Sequence, residues 1–373
     1  MYEEIDKFID RIISNSTPAR PLWNVEQSNG GNSKWNYIDG CMLTALLRLS
    51  SIESNKVFED FVINLLDYYV SSDGSIVGYD KESYNLDNIN EGRVLFDVYK
   101  VTEDKKYDRA IELLHSQLLS QPRTQTGNFW HKKIYPNQIW LDGLYMAQVF
   151  ATRYAFQHDK DYSDIVNQFK NVRKLMYNAD KGLYYHCCDC SKSAFWANEK
   201  GLSANFWLRA NGWYLIALVD CIEYCDDVST KHILSEILVE ALSGILQYKD
   251  NATNMFYQVI DCAGREGNYL ETSGSCMISY ALLTAARLGI IDSSLGLVGK
   301  QIFDGVVDKY FSNTNGQFNL GGICLVAGLG PDNNKRRDGS YEYYISEPIV
   351  ANDGKGIAPL VLAYTEVKKV IQR

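Results

Sequence analysis

The chain's 373 residues are 46% apolar and 22% charged, the balance of a globular protein able to bury a large core. A net charge of −9 argues against nucleic acid or an anionic membrane surface as partner, while leaving room for a small anionic substrate if local cations line its cleft. Aromatics reach 13%, with 26 Tyr and 7 Trp, a richness that suits a groove for sugar rings beyond what packing alone uses.

The opening residues, Met1-Tyr2-Glu3-Glu4-Ile5-Asp6, lack the basic and apolar blocks of a secretion signal, and no apolar run approaches a membrane span. The expected location is the cytoplasm. Tyr2, Ile5, Phe8, Ile9, Ile12 and Ile13 recur at three and four residues and predict a helix. Phe58, Phe61, Val62, Leu65, Leu66 and Tyr69 predict another.

Asp39-Gly40-Cys41-Met42 opens the first of six similar units, in which an acidic or small polar residue, usually followed by Gly, precedes an apolar run. The others open at Asp87-Asn88-Ile89, Asp142-Gly143-Leu144, Asn205-Phe206-Trp207, Ser273-Gly274-Ser275 and Asp353-Gly354-Lys355. A second series runs in step, a Gly or Asn turn followed by an aromatic or apolar stretch, at Asp73-Gly74, Thr126-Gly127-Asn128, Lys181-Gly182, Asn254-Met255 and Asn315-Gly316. A period of roughly 50–80 residues suits two helices plus a sizeable loop. Six such pairs predict an all-α fold, an (α/α)6 barrel of six helix hairpins, with short strand-like loops at the end where the inner helices begin. An open solenoid is the alternative. No linker-like stretch divides the chain, so residues 1–373 read as a single catalytic domain, mobile only at its first residues and in the polar segment Asp332 to Ser340. The looped end is the candidate site, because loops on a rigid scaffold commonly carry the chemistry.

Asp87 and Asp142 hold matching places in consecutive units, and neighbouring inner helices would set them face to face. Glycosidic chemistry asks for such a pair, one carboxyl holding a proton and the other orienting or activating water. Burial and mutual repulsion are expected to raise one of the two. Asp39 and Asp353 read better as helix N-caps. Asp142 does not, since a cap has no need of the preceding Phe129-Trp130-His131-Lys132 and Trp140-Leu141, which bring large aromatics and two potential cations. His131 and His186 follow the aromatic turns of adjacent units, and that shared register favours substrate contact. Arg209, set among Trp196, Trp207 and Trp213, is suited to hold a carboxylate through paired N–H donors; the competing reading is an Arg stacked on Trp or paired with an inner-barrel acid.

The nine cysteines are irregularly spaced. His186-Cys187-Cys188-Asp189-Cys190 invites a zinc reading but lacks a second ligand pair, since Cys221 and Cys225 fall on an expected outer helix. Reduced thiols and no metal are expected.

Together these motifs resemble the unsaturated rhamnogalacturonyl hydrolases of glycoside hydrolase family 105. The likeness is carried by Phe129-Trp130-His131-Lys132, Tyr135-Pro136-Asn137-Gln138-Ile139-Trp140-Leu141-Asp142-Gly143, Trp196-Ala197-Asn198-Glu199, Phe206-Trp207-Leu208-Arg209 with Gly212-Trp213-Tyr214, and Tyr269-Leu270-Glu271-Thr272-Ser273-Gly274, and it runs from about Trp35 to the C-terminus. It implies an (α/α)6 barrel and an oligosaccharide substrate whose non-reducing uronic acid carries a C4=C5 double bond. A carboxylic acid protonates C4 of that vinyl ether, water adds at C5, and the resulting hemiketal rearranges to release the next sugar. By position, Asp142 is implied as general acid and base, with Asp87 assisting through the substrate hydroxyls or the water. Trp140 and Trp213 would form walls, and His131, Lys132, His186, Arg209 and Tyr37 would contact the uronate or its neighbour. No metal or other cofactor is implied, and the protein is expected to be a monomer or weak homodimer. The chain departs from the family pattern at Ala204-Asn205, where Pro-Glu is expected, and in the weakly basic surroundings of Trp35-Asn36-Tyr37; both bear on the second sugar.

Three other functions fit less well. One is a hydrolase of the same mechanism acting on unsaturated glucuronyl products. An epimerase on the same barrel would need paired catalytic His, and only five His occur, none paired at inner-helix starts. A non-catalytic sugar-binding protein has little use for a proton donor beside aromatics.

Overall fold

In the computed structural model, which describes residues 2–28, 33–158 and 160–371, the apolar periodicities become helices and the Gly or Asn turns become the bends between them. After α1 (Tyr2–Ser14), the chain forms α2 (Tyr37–Glu53) and α3 (Lys56–Tyr69), then α4 (Asp87–Asn90), continued through a 3-10 turn at Glu91–Val94 into α5 (Leu95–Thr102) and answered by α6 (Lys105–Ser120). Four further pairings follow the same plan: α7 (Leu141–Gln157) with α8 (Ser163–Met176), α9 (Leu208–Tyr224) with α10 (Val228–Ile245), α11 (Thr272–Arg287) with α12 (Ser293–Tyr310), and α13 (Gly354–Ile371), whose outer partner is α1. That last hairpin joins the two ends of the sequence: Tyr364 Oη donates to the Tyr2 carbonyl and to Asp6, and Lys368 Nζ lies 2.8 Å from Asp6.

The inner helices pack in the order α2, α4 with its 3-10 turn, α7, α9, α11, α13 and back to α2. The ring is therefore closed, and the open solenoid is set aside. Burial explains why inner and outer helices differ in sequence. Every residue of α9 from Leu208 to Ile222 is buried, whereas α8 buries one stripe, Ile165, Val166, Phe169, Val172 and Met176 among others, and turns its remaining face to water. Close approach within the ring needs glycine: a Cβ on Gly274 would stand 2.4 Å from Leu208 Cγ, and one on Gly40 would stand 2.5 Å from Glu91 Cα. The turns of the second series all hold a left-handed residue, Gly74, Gly127, Gly182, Asn254 and Gly316, a conformation glycine and asparagine tolerate best.

Because each of these turns ends an outer helix and leads to the next inner one, they gather at one end of the barrel, as expected. Short antiparallel strand pairs stiffen that end, including Gln138–Trp140 with Cys187–Asp189 and Ile323–Cys324 with Ile349–Val350.

Three expectations need correction. Cys221 lies on the inner helix α9, where its neighbours enclose it. The segment from Asp332 to Ser340 is a closed turn, fastened by Gly330 N–H to Arg337 O at 2.7 Å and by an ion pair between Arg336 and Glu347 at 2.9 Å. Asp39 is not the cap of α2, because Asn36 accepts from Ile38 and Asp39 N–H; the Asp39 carboxylate instead accepts hydrogen bonds from Trp23 Nε1, Asn36 Nδ2 and Tyr69 Oη.

Candidate active site

Asp87 is the first residue of α4, and its N–H is taken up by Asn85 Oδ1 at 3.0 Å. Asp142 lies in the first turn of α7, whose capping residue, Trp140, contributes no side-chain bond. Neither carboxylate is spent on its own helix end. The loop between them is pinned by main-chain bonds from Leu86 N–H to His131 O (3.1 Å), His131 N–H to Gln138 O (3.0 Å) and Leu141 N–H to His186 O (3.1 Å). The pairing of Gln138–Trp140 with Cys187–Asp189 then places Trp140 opposite Cys187, next to His186.

Two environments result. Around Asp87, Lys132 Nζ lies 2.5 Å from Oδ2 and His131 Nε2 lies 3.4 Å from Oδ1. Burial works to raise the Asp87 carboxyl, but the ammonium of Lys132 outweighs it and holds the group below the usual carboxylate range. Asp87 is ionised at neutral pH. His131 is pushed down to about 4, chiefly by burial, so its ring is neutral at pH 7. Among the described residues, no such cation forms an ion pair with Asp142. Its Oδ2 is enclosed without a hydrogen bond, 3.2 Å from His186 Nε2, which also lacks one.

Aromatic rings fix the geometry. His131 stacks on Trp140 at 4.9 Å, Trp140 on Tyr135 at 4.9 Å, and Trp140 meets His186 edge-on at 5.3 Å. Trp207 lies 4.7 Å from His186, tilted against its ring. Trp140 is anchored by its own Nε1 donating to Gln138 Oε1 at 3.0 Å.

The expected set thus divides into two groups. Asp87, His131, Lys132, Trp140, Asp142 and His186 form one contiguous cluster. Arg209, Trp213 and Tyr37 form a second, in which Trp213 stacks on Tyr145 at 4.7 Å and meets Tyr37 edge-on at 6.5 Å. Tyr37 connects them, being close enough to sense the charges of both Arg209 and Asp87, while burial raises its phenol. It lines, with Lys34, Trp35, Asn36, Asp87 and Asn88, an open cavity of about 540 Å³.

Two expected roles change. His186 is wholly enclosed and faces protein groups with both ring nitrogens, so it adjoins Asp142 and does not contact substrate. Arg209 is 2% exposed: its Nη1 donates to Cys324 O and to Ser273 Oγ at 3.3 Å, lies 4.0 Å from Glu271, and its guanidinium covers Trp207 at 4.7 Å. That is the stacked and acid-paired arrangement that competed with carboxylate binding. Among the described residues, Nε and Nη2 carry no hydrogen bond, so part of the guanidinium is still available.

Sequence reasoning overlooked Tyr344, Trp207, Glu271 and Arg337. Glu271 caps α11 and binds Ser273 Oγ, Gly274 N–H and Cys324 N–H. Arg337 stands beside Tyr135 and counters the rise that burial gives its phenol. Glu271 and Trp207 lie inside family-like motifs and could have been singled out there; Tyr344 and Arg337 belong to neither repeated series. No group of three or more His, Cys, Asp or Glu among the described residues is arranged to hold a metal ion. Asp189 accepts from Ser191, Ser193 and Ala194, which accounts for its place in the cysteine-rich turn.

Residues 4–371 match the family model described as Glycosyl Hydrolase Family 88. A solved glycoside hydrolase from family 105 of C. acetobutylicum ATCC 824 is similar with a TM-score of 0.91 and 40% identity, covering 98% of this chain and 99% of that one. Protein Atu3128 of Agrobacterium fabrum is 39% identical over 209 residues, 54% of this chain and 89% of that protein. The unsaturated rhamnogalacturonyl hydrolase YesR of Bacillus subtilis is 26% identical over 213 residues, 55% of this chain and 59% of that protein.

Proposed function

The chain belongs to glycoside hydrolase family 105, within the reach of the family 88 model, and is a glycosidase; from that premise we propose that it removes the 4,5-unsaturated galacturonate from rhamnogalacturonan lyase products. The observation that carries the reading is the unlike surroundings of the two carboxylates. Asp87 is held ionised by Lys132, while among the described residues Asp142 has no such cation paired with it and no hydrogen bond to its enclosed oxygen. A vinyl ether needs this asymmetry. One group must deliver a proton to C4, and a fixed anion must hold the substrate hydroxyls or the water that attacks C5. Asp142 is the donor in this scheme and Asp87 the fixed anion. Lys132, Tyr37, Trp140, Trp213 and the free part of Arg209 bind the sugar, and His131 supports Asp87.

The substrate's negative charge is tolerable despite the chain's own, because the N-termini of the inner helices converge on the mouth and Lys34 and Lys132 line it. Galacturonate linked to rhamnose is supported by the likeness to YesR. One domain, residues 1–373, carries the whole activity in this proposal. All nine cysteines are free thiols, which suits the reducing cytoplasm.

The test is loss of the ultraviolet absorbance of the conjugated uronate on mixing the protein with unsaturated galacturonyl-rhamnose, beside the glucuronyl counterparts. Decay confined to the galacturonyl substrate supports the proposal. Decay confined to glucuronyl substrates would replace it with the same mechanism on another polysaccharide, and turnover of saturated free sugars would replace it with an epimerase.

A further inference from the structure

Tyr344 lies on the short helix Tyr341–Ser346, 158 positions from His186 along the chain, yet its hydroxyl is 2.7 Å from His186 Nδ1. Both side chains are fully buried. On the opposite side of the ring, Nε2 and Asp142 Oδ2 are enclosed, lack hydrogen bonds, and face each other at 3.2 Å. The Asp142 side chain is 13% exposed, and with Oδ2 enclosed that exposure falls on the Oδ1 side.

The order of the three groups decides their protons. Burial holds the Tyr344 phenol well above its ordinary value, so it keeps its hydrogen throughout the working range. A hydroxyl that donates to Nδ1 requires the neutral imidazole to carry its hydrogen on Nε2. That hydrogen then sits on the nitrogen nearest Asp142 Oδ2, 3.2 Å away though not aligned for a hydrogen bond, a proximity that is favourable whether the carboxyl is ionised or protonated on Oδ1. The opposite tautomer would set a lone pair against a carboxylate oxygen, or draw the acid's proton onto the enclosed Oδ2, away from the cleft.

Resting on the proposed role of Asp142 as proton donor, we infer that Tyr344 is a positioning residue that fixes the tautomer of His186, so that His186 holds Asp142 Oδ2 and leaves Oδ1 to carry the catalytic proton. One proton moves, between Oδ1 and the substrate, and His186 exchanges none. The remaining titratable groups around this trio are His131, Lys132 and Cys187, each close enough to sense Asp142, with Asp87 beyond Lys132, and Tyr343 and Cys324 on the Tyr344 side. None of them bonds to His186 in place of Tyr344. Trp140, edge-on at 5.3 Å, and Trp207, tilted at 4.7 Å, pack against the ring and restrict its rotation.

Tyr344→Phe deletes one oxygen and keeps the packing. It is expected to lower kcat roughly tenfold with KM within about twofold, the loss of one buried hydrogen bond felt in the transition state. The high-pH limb of the rate profile should move upward, since a less firmly held imidazole stabilises the Asp142 anion less. Independently of any substrate, nitrogen-15 spectra of the five histidines should show His186 as the Nε2–H tautomer in the wild type and as a mixture in Tyr344→Phe. An Nδ1–H tautomer in the wild type overturns the inference, as does a Tyr344→Phe enzyme whose spectrum and pH limb are unchanged, whatever its rate. Because the spectra need no sugar, a wrong substrate assignment would show as missing turnover beside a normal His186 signature.

Discussion

The two ends of the barrel both bury charge, and they treat it in opposite ways. At the far end, where the inner helices finish, Arg48 binds Glu223 at 2.6 Å and Asp220 at 3.0 Å, and Arg287 binds Glu223 and Glu366 at 2.6 Å each. Tyr280 Oη adds a bond to Asp220 at 2.7 Å, and Arg153 grips Asp97 with both terminal nitrogens. The loosest contact there, Arg93 Nη1 to Asp220 Oδ2 at 3.9 Å, joins opposite charges that both have other partners. At the mouth, Asp142 Oδ2, His186 Nε2 and His131 Nδ1 are left without hydrogen bonds. Arg48 Nε, Arg93 Nη1 and Asp220 Oδ2 at the far end lack hydrogen bonds too, but they belong to groups already paired with opposite charge, whereas Asp142 has no cation bound to it among the described residues. Buried polar groups without such compensation are costly, so the contrast lies in the pairing of charge, which secures the ring at the far end and is incomplete at the mouth. The helix dipoles follow the same division, with arginines collected at the carbonyl ends and Asp87 and Asp142 at the N–H ends.

The most forceful way to break this contrast is Asp142→Asn. It should lower the rate of vinyl-ether hydration by about 10²–10⁴-fold, the usual range for losing a general acid, with little change in melting temperature. Decay of the uronate absorbance at the wild-type rate would transfer the donor role to Asp87.

The same exchange at the far end should do the reverse. Burial alone would raise Glu223, but Arg48 and Arg287 outweigh it and hold it at about 2, against its ordinary 4.5. A carboxyl depressed in the folded state adds stability above the unfolded value and loses it as pH falls through the folded one. The wild type should therefore weaken between about pH 4.5 and 2. Glu223→Gln should cost about 3 kcal/mol at neutral pH and flatten that acid loss, leaving kcat intact at temperatures below melting. Calorimetry across pH reads both.

Lys132→Met returns to the mouth with a smaller effect. With the ammonium gone, burial governs Asp87 and its carboxyl rises. If the ionised form is the active one, the low-pH limb of the rate profile should move upward, and the rate at its optimum should fall roughly tenfold, the value of one charge-assisted bond. An unmoved limb would remove Asp87 from the chemistry.

How much of this could be read in advance depends on how locally each feature is determined. The hairpins were legible because a left-handed turn demands Gly or Asn within a few residues and an apolar stripe declares itself within one helix; Gly182 and the stripe of α1 are examples. The placing of Asp87 and Asp142 at the starts of neighbouring inner helices was legible because the repeat set them in register. His186 was misjudged, since the groups that enclose it, Trp207 and Tyr344, arrive from later repeats through contacts that no spacing records. Arg209 was divided between two readings for the same reason: its partner, the Cys324 carbonyl, is main chain and leaves no mark in composition. The cap at Asp39 failed more simply, because Asn36 competes three residues earlier and wins.

Asp39 sharpens the comparison most finely, because it is a buried mouth-end carboxylate with the opposite linkage to Glu223. Its partners, Trp23, Asn36 and Tyr69, are neutral donors, so burial prevails and raises it to about 6. Nearby Glu91 is raised as well, by burial first and then by the charge of Asp39. A carboxyl raised in the folded state holds its proton longer than in the unfolded chain, so the folded state loses stability as pH climbs from about 4 to about 6. Asp39→Asn removes that slope. It also turns an amide N–H₂ toward the donor of Asn36, and the two changes should cancel to within about 1 kcal/mol at neutral pH. The informative quantity is then the pH dependence of melting between about 4 and 7, which should be flatter than in the wild type, with Glu223→Gln altering only the more acidic region. An unchanged slope in Asp39→Asn would assign the mouth's uncompensated charge to Glu91 alone.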